Sequence, residues 1–449
     1  MYEHEDRRPG RISCPAVQVL VDAVAGLAMM EPAANDAELI EQIAWLERLA
    51  AATAGAQLQM MAEFAAAQVA KRKGLSLEER LCATGVKEQL AMARNVSPSQ
   101  AARDLTLGKA LRDRFPRIGQ SLRGGETSAF AARLIVEETR PVSDDTARMI
   151  DRRHAGELTA MTATRASRAA RFLGMQADPA GYVEAARKSP EQRRVTTRPA
   201  PDTMVWLSAL LPVATGVGAY ACLDRDARAA VAAGDGRSLD QVRADLLVQR
   251  VTGREENQPP PVEIQLTMDA KTLLGDDPTP AVVGGFGAVP AGWALDLLAR
   301  TVDADVQVFI RRILTDPVDG TVVAIDSRRR LFDGTARRFL DARDQTCRMP
   351  ACDAPIRHHD HIVRHTNGGL TSPDNGQGTC VAWNLVKDNP NWAVRPLPAS
   401  HPNKAPAVQV ITPTGHSYIS RPPPALGPGS RPPHPLDHWT LHQLDLTEA

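Results

Sequence analysis

The sequence predicts an α+β protein: a mainly helical N-terminal region, a mixed α/β middle, a small C-terminal module rich in histidine and cysteine, and a proline-rich tail. Three observations predict it. Apolar residues recur at helical spacing through the first third of the chain, whereas β-branched and aromatic runs with period-two alternation appear only after Arg193. Nine of the 11 histidines lie after residue 300. With 449 residues the chain has room for two to four domains, and 43% hydrophobic against 24% charged residues suits a globular protein.

Residues 1–35 read as a flexible N-terminus. The opening MYEHEDRRPGR mixes both charge signs and lacks the basic start of a signal peptide. The apolar stretch from Val19 to Met30 carries Asp22 and is shorter than the roughly 20 residues a membrane span needs. No membrane association and a cytoplasmic location are therefore expected. Six cysteines are too few and too uneven for a disulfide framework, since Cys14, Cys82 and Cys222 are scattered and Cys347, Cys352 and Cys380 cluster.

Residues 36–190 read as a helical domain. From Ala37 to Ala70 the residues Leu39, Ile43, Leu46, Met60 and Phe64 keep to one face, which predicts one long helix or a pair. Near Asn95 the chain offers a helix start, with Ser97 as cap, Pro98 at the first position and Gln100 placed to close a capping box. Further helices are expected from Thr127 to Thr139 and from Ser143 to about Gly174. Leu90 to Leu107 has the order of a helix-turn-helix, which serves plain helical packing more often than DNA reading.

Residues 191–340 read as a mixed α/β domain. The run RRVTTRPAPDTMVWLSALLP predicts a strand or hairpin, and helices follow over 214–233 and 239–252. Val262, Ile264 and Leu266 alternate with polar residues as a half-buried strand does, and a second hairpin is expected around Asp316–Gly320. Gly284, Gly285 and Gly287 lack a phosphate-loop pattern and read as a turn before a helix at Ala291. Residues 396–449 read as an extended or disordered tail, since 12 of the 34 prolines fall between Pro396 and Pro435.

Chemistry concentrates between Arg343 and Trp392. There Asp360-His361-Ile362 is followed by Gly368-Gly369, Asn375, and Cys380 with Asn384 and Lys387 behind it. This pattern resembles the ββα-metal core of HNH endonucleases, which assigns the module to residues 341–395. Upstream, RGGETSAFAARLIVEET, RADLLVQRVTG and TDPVDG resemble the uncharacterised domain that precedes HNH modules in high-GC bacterial repeat-element proteins.

The resemblance implies hydrolysis of DNA phosphodiester bonds, with double-stranded DNA as partner and one divalent ion, Mg, Mn, Ni or Zn, as cofactor. His361 is then the general base, since imidazole accepts a proton near neutral pH. Asp360 and Asn384 are the metal ligands, Asn375 the residue that holds the loop, and Lys387 a phosphate contact. His359 and His365 have no counterpart in the pattern and are expected to face solvent. Cys347, Cys352 and Cys380 resemble a zinc knuckle, but Trp383 stands where the fourth ligand belongs and indole cannot bind zinc. Three outcomes are open: an outside ligand such as His358 or His359, a three-ligand site, or Trp383 packed into a metal-free gap.

A net charge of zero hides a local excess. Arg328, Arg329, Arg330, Arg337, Arg338, Arg343 and Arg348 face three aspartates, which reads as a nucleic-acid footprint. The alternative function is a decayed HNH core that binds nucleic acid without cleaving it.

Overall fold

The computed structural model describes residues 15–73, 83–253, 265–273, 277–303, 313–315, 322–325, 334–389, 391–397 and 406–426. It is an α+β fold, helical in its N-terminal half, with small antiparallel sheets later in the chain. No helix among the described residues is long and apolar enough to cross a membrane.

α1 (Pro15–Ala28) precedes α2 (Asp36–Lys73), so the periodic stretch is one helix of 38 residues rather than a pair. α3 (Val86–Arg94) ends at Asn95, whose left-handed φ of 53° turns its N–H back onto the carbonyls of Ala91 and Met92. Ser97 then caps α4 (Pro98–Asp113) by accepting from the Gln100 N–H. The expected capping box does not close: the Gln100 Oε1 that would accept from the Ser97 N–H accepts from Arg103 at 2.6 Å, while its Nε2 donates to Asp104 at 2.9 Å. Asp104 is also bound by Arg94 and Arg133. With that acid and Leu105, Leu107 and Leu111 buried, this helix pair is spent on packing.

α5 (Pro116–Arg123), α6 (Ala129–Glu138), α7 (Asp144–Thr159), α8 (Ala163–Ala177) and α9 (Pro179–Lys188) complete the helical region. The stretch expected as one helix from Ser143 is two, broken at Met161 and Thr162. Leu58, Leu111, Phe115, Ile118, Leu122, Ile135 and Ile150 form their shared core. α4 crosses α2 at Gly108, where an added Cβ would lie 2.4 Å from the Leu58 carbonyl oxygen. Gly108→Ala is expected to lower unfolding stability by ~1–3 kcal/mol through overpacking. An unchanged denaturant midpoint would contradict so close a crossing.

β1 (Arg194–Pro199) and β2 (Val205–Leu210) form the first hairpin, followed by α10 (Val213–Ala232) and α11 (Leu239–Thr252). The described end of the alternating segment is β3 (Leu266–Thr267), which is followed by α12 (Ala270–Leu273) and pairs with β4 (Ala281–Val283). β5 (Gly287–Val289) pairs with β4, so the turn expected at Gly284–Gly287 closes a hairpin, and the helix expected at Ala291 follows as α13 (Ala291–Asp303). β6 (Ile313–Thr315) and β7 (Val322–Ile325) are antiparallel as the second hairpin requires, although its Asp316–Gly320 turn lies outside the described residues.

α14 (Gly334–Asp344) leads to β8 (His358–His361), β9 (Gly376–Thr379) and α15 (Val381–Val386). β10 (Ala393–Pro396), β11 (Val408–Ile411) and β12 (Ser417–Ser420) then form an antiparallel sheet. This corrects the reading of 396–449 as a tail for its residues 406–420, whereas 398–405 and 427–449 lie outside the described residues. Proline density misleads here because 406–411 and 417–420 are proline-poor apart from Pro406, and Val408 and Val410 are buried.

A second core lies between the helical region and this C-terminal part. Met61, Ala65, Leu90 and Leu105 pack with Cys347, Cys352, Cys380, Trp383, Trp392 and Val410.

Candidate active site and metal centre

Antiparallel β8 and β9 pair Asp360 with Gln377 and His361 with Gly376, and α15 follows directly. Strand alternation sends Asp360 and His361 to opposite faces. The Asp360 carboxylate meets Lys387 Nζ at 2.6 Å, at the end of α15. Lys387 is thus not an exposed helix lysine: its side chain is 2% exposed and also reaches Asp388 at 3.0 Å. Asp388 binds Arg364 at 2.6 Å. Burial works to raise the Asp388 pKa, but these two cations outweigh it and hold the carboxyl below its ordinary range.

His361 Nε2 lies 3.0 Å from Thr371 Oγ1. The loop between them is fixed by Asn375. Its Oδ1 accepts from the Val363 N–H at 2.8 Å, and its Nδ2 donates to the carbonyls of Val363 and Leu370 at 2.9 and 2.8 Å. Gly369 is required beneath it, since a Cβ there would lie 1.8 Å from the Val363 oxygen. Asn384 is half-buried on α15, and its side chain makes no hydrogen bond among the described residues. The structure therefore gathers Asp360, His361, Asn375, Asn384 and Lys387 into one strand-loop-strand-helix unit. His359, expected in solvent, bonds Asp341 at 2.8 Å and is half-buried. The His365 side chain lies outside the description.

The arginines divide. Arg337 and Arg338 are exposed on α14, and Arg328, Arg329 and Arg330 lie outside the described residues. Arg343 and Arg348 are not surface charges: both are buried against Asp344, at 2.7 and 2.9 Å. Arg343 also donates to the Pro373 and Gly376 carbonyls, and Arg348 to the carbonyls of Pro406 and Ser420. Asp344 completes its shell by accepting from the Gly378 N–H at 2.7 Å. Sequence reading counted these charges without pairing them. The available signal was adjacency, because Asp344 adjoins Arg343; Arg348 lies past the end of α14, where helix spacing gives no guide.

Cys347, Cys352 and Cys380 are buried, and their sulfurs lie within 4.8 Å of one another, so they could hold a metal ion. Hydrogen bonds from Cys347 and Cys352, and the amides at the start of α15, hold the Cys380 thiol far below its ordinary pKa. For Cys352 the hydrogen bond with Cys347 works downward, but Cys380 and burial outweigh it and push the thiol up to about 12; Cys347 is raised by its hydrogen bonds with Cys352 and Cys380 and by burial. The first negative charge therefore rests on Cys380. Neither His358 nor His359 joins the three sulfurs. Trp383 is wholly buried and meets Trp392 edge to face at 5.5 Å.

A family model described as Domain of unknown function (DUF222) matches residues 38–344. No curated protein and no solved structure matches the chain.

Proposed function

The chain belongs to the family of that domain of unknown function, whose description carries no activity; from this premise we propose a metal-dependent HNH-type endonuclease acting on DNA, with its chemistry in the C-terminal unit beyond the matched region. One observation carries the reading: β8, the turn ending at Asn375, β9 and α15 follow one another over the 28 residues that hold Asp360, His361, Asn375, Asn384 and Lys387, and they set Lys387 against Asp360 at 2.6 Å.

Within this reading His361, at the edge of β8, takes a proton from the attacking water. Asn375 is a positioning residue, because its three hydrogen bonds fix the backbone at Val363 two residues beyond His361. Asp360 and Asn384 offer a carboxylate and an amide oxygen, the donor types that hard divalent cations take. Asp360 fits that role by an observation independent of the motif, since it already binds a cation, the Lys387 ammonium. A divalent ion held there supplies charge stabilisation to the phosphate and the leaving oxygen. Lys387 adds positive charge beside the same carboxylate. Arg337 and Arg338 offer backbone-neutralising charge on α14.

The Lys387–Asp360 pair also favours the second reading. An ammonium that permanently neutralises Asp360 leaves a protein that binds nucleic acid without cutting it. Supercoiled plasmid with Mg2+, Mn2+ or Ni2+ separates the two. Nicking that EDTA stops is the expected result, and binding without cleavage under every metal selects the second reading.

A further inference from the structure

Two deficits lie in the same buried cluster. The three thiols lack a fourth ligand from their own segment, because Trp383 occupies its place in the sequence. Across the cluster, Glu88 in the first turn of α3 is 0% exposed, and neither carboxylate oxygen accepts a hydrogen bond. Among the described residues its ion-pair partner is the Lys87 ammonium at 3.6 Å, too far for a hydrogen bond. A buried carboxylate without donors costs several kcal/mol unless something compensates it.

The position of α3 is fixed against the knuckle. Val86, Leu90 and Ala91 pack in one cluster with Cys347, Cys352 and Cys380. At its N-cap, Gly85 is so close to Trp392 that an added Cβ would meet the indole nitrogen at 2.9 Å. The same packing that seats α3 on the cysteines thus leaves both Glu88 carboxylate oxygens buried and without a donor. A divalent cation between that carboxylate and the sulfurs would supply the partner each lacks.

We propose that Glu88 is the fourth protein ligand of a metal ion at Cys347, Cys352 and Cys380, making a mixed three-sulfur, one-oxygen site that clamps the helical region to the C-terminal unit. This rests on the three-cysteine cluster holding a metal. Glu88 is outside the 4.8 Å group of sulfurs, so its flexible side chain rotates inward when the ion enters. Zinc is the fitting ion, as it accepts thiolate and carboxylate in tetrahedral sites. The protons of Cys347 and Cys352 leave to solvent as it binds. Trp383 then acts as packing, freed from the ligand position that Glu88 has taken over.

The full-length protein is titrated with Zn2+ against a chromophoric chelator and, separately, with Co2+ while absorption is recorded. Wild type is expected to bind one equivalent with thiolate charge-transfer bands, and a wild type that binds no metal sinks the cluster itself. Glu88→Gln keeps the side-chain shape and removes a buried charge. It is expected to weaken zinc by at least the 10- to 100-fold that loss of even an outer-shell partner costs. Glu88→Cys is expected to strengthen the charge-transfer bands and shift the d–d bands towards those of four-thiolate cobalt. Metal binding by wild type with affinity unchanged in Glu88→Gln and a spectrum unchanged in Glu88→Cys overturns the assignment while leaving the three-cysteine site standing.

Discussion

His361→Ala is expected to reduce plasmid nicking by roughly 10²–10⁴-fold, the range that positioned proton transfer contributes. DNA binding and the unfolding midpoint should stay close to wild type, because the hydrogen bond between the imidazole and Thr371 lies at an exposed edge of the unit. Rate and binding are thereby separated. A variant that nicks at the wild-type rate removes His361 from the chemistry, and one that loses DNA binding in parallel makes it a binding residue instead. The comparison is cleanest with the metal concentration saturating, so that a change in metal affinity cannot pass for a change in rate.

Asp344→Ala is expected to be the most destabilising single change in the C-terminal unit, at ~3–5 kcal/mol, the cost of breaking a buried ion pair from one side. It would leave two guanidiniums, Arg343 and Arg348, without their shared carboxylate. The same acid predicts a pH dependence. Burial alone would raise its pKa, but Arg343, Arg348 and the Gly378 amide prevail and hold it below the ordinary 3.8. A carboxyl with a depressed folded pKa contributes stability above its unfolded value and loses it as the pH falls through the folded one. Wild type minus Asp344→Asn, measured by denaturant unfolding, should therefore shrink on acidification below about 3.8. A difference that stays constant as the pH falls well below that value would mean that the three charges do not act as a triad.

Local order was the legible part of this fold. Periodicity marked α2, the Ser97 cap marked α4, β-branched and aromatic content marked the β1–β2 hairpin, and the Asp316–Gly320 turn signal marked the β6–β7 hairpin, because each depends on residues close in sequence. The unit around Asp360 and His361 was legible for the same reason, its parts spanning fewer than 30 residues. Long-range choices were not. Nothing near Arg343 or Arg348 in sequence says that their partners include the carbonyls of Gly376 and Ser420. Lys387 read as a surface residue because helix spacing cannot show that Asp360 lies across from it. Residues 406–420 read as a tail because proline density was averaged over a window that also contains two short strands. Glu88 was passed over entirely, since a lone acid at the start of a helix is usually a response to the helix dipole.

The core that joins Met61 and Leu90 to Trp383 and Trp392 gives the chain two different partitions. Matched by sequence, the family region closes at residue 344, on the last residue of α14 and on the very acid that Arg343 and Arg348 share. Packed in space, the C-terminal unit keeps part of its interior on helices nearly 300 residues earlier. A chain cut at the sequence border would separate that triad and strip one wall from the tryptophans on one side while uncovering Met61 and Ala65 on the other. What is transmitted as a segment and what folds as a body do not coincide here, so exchange of the C-terminal segment between relatives would have to carry a matching seat on α2 and α3 with it.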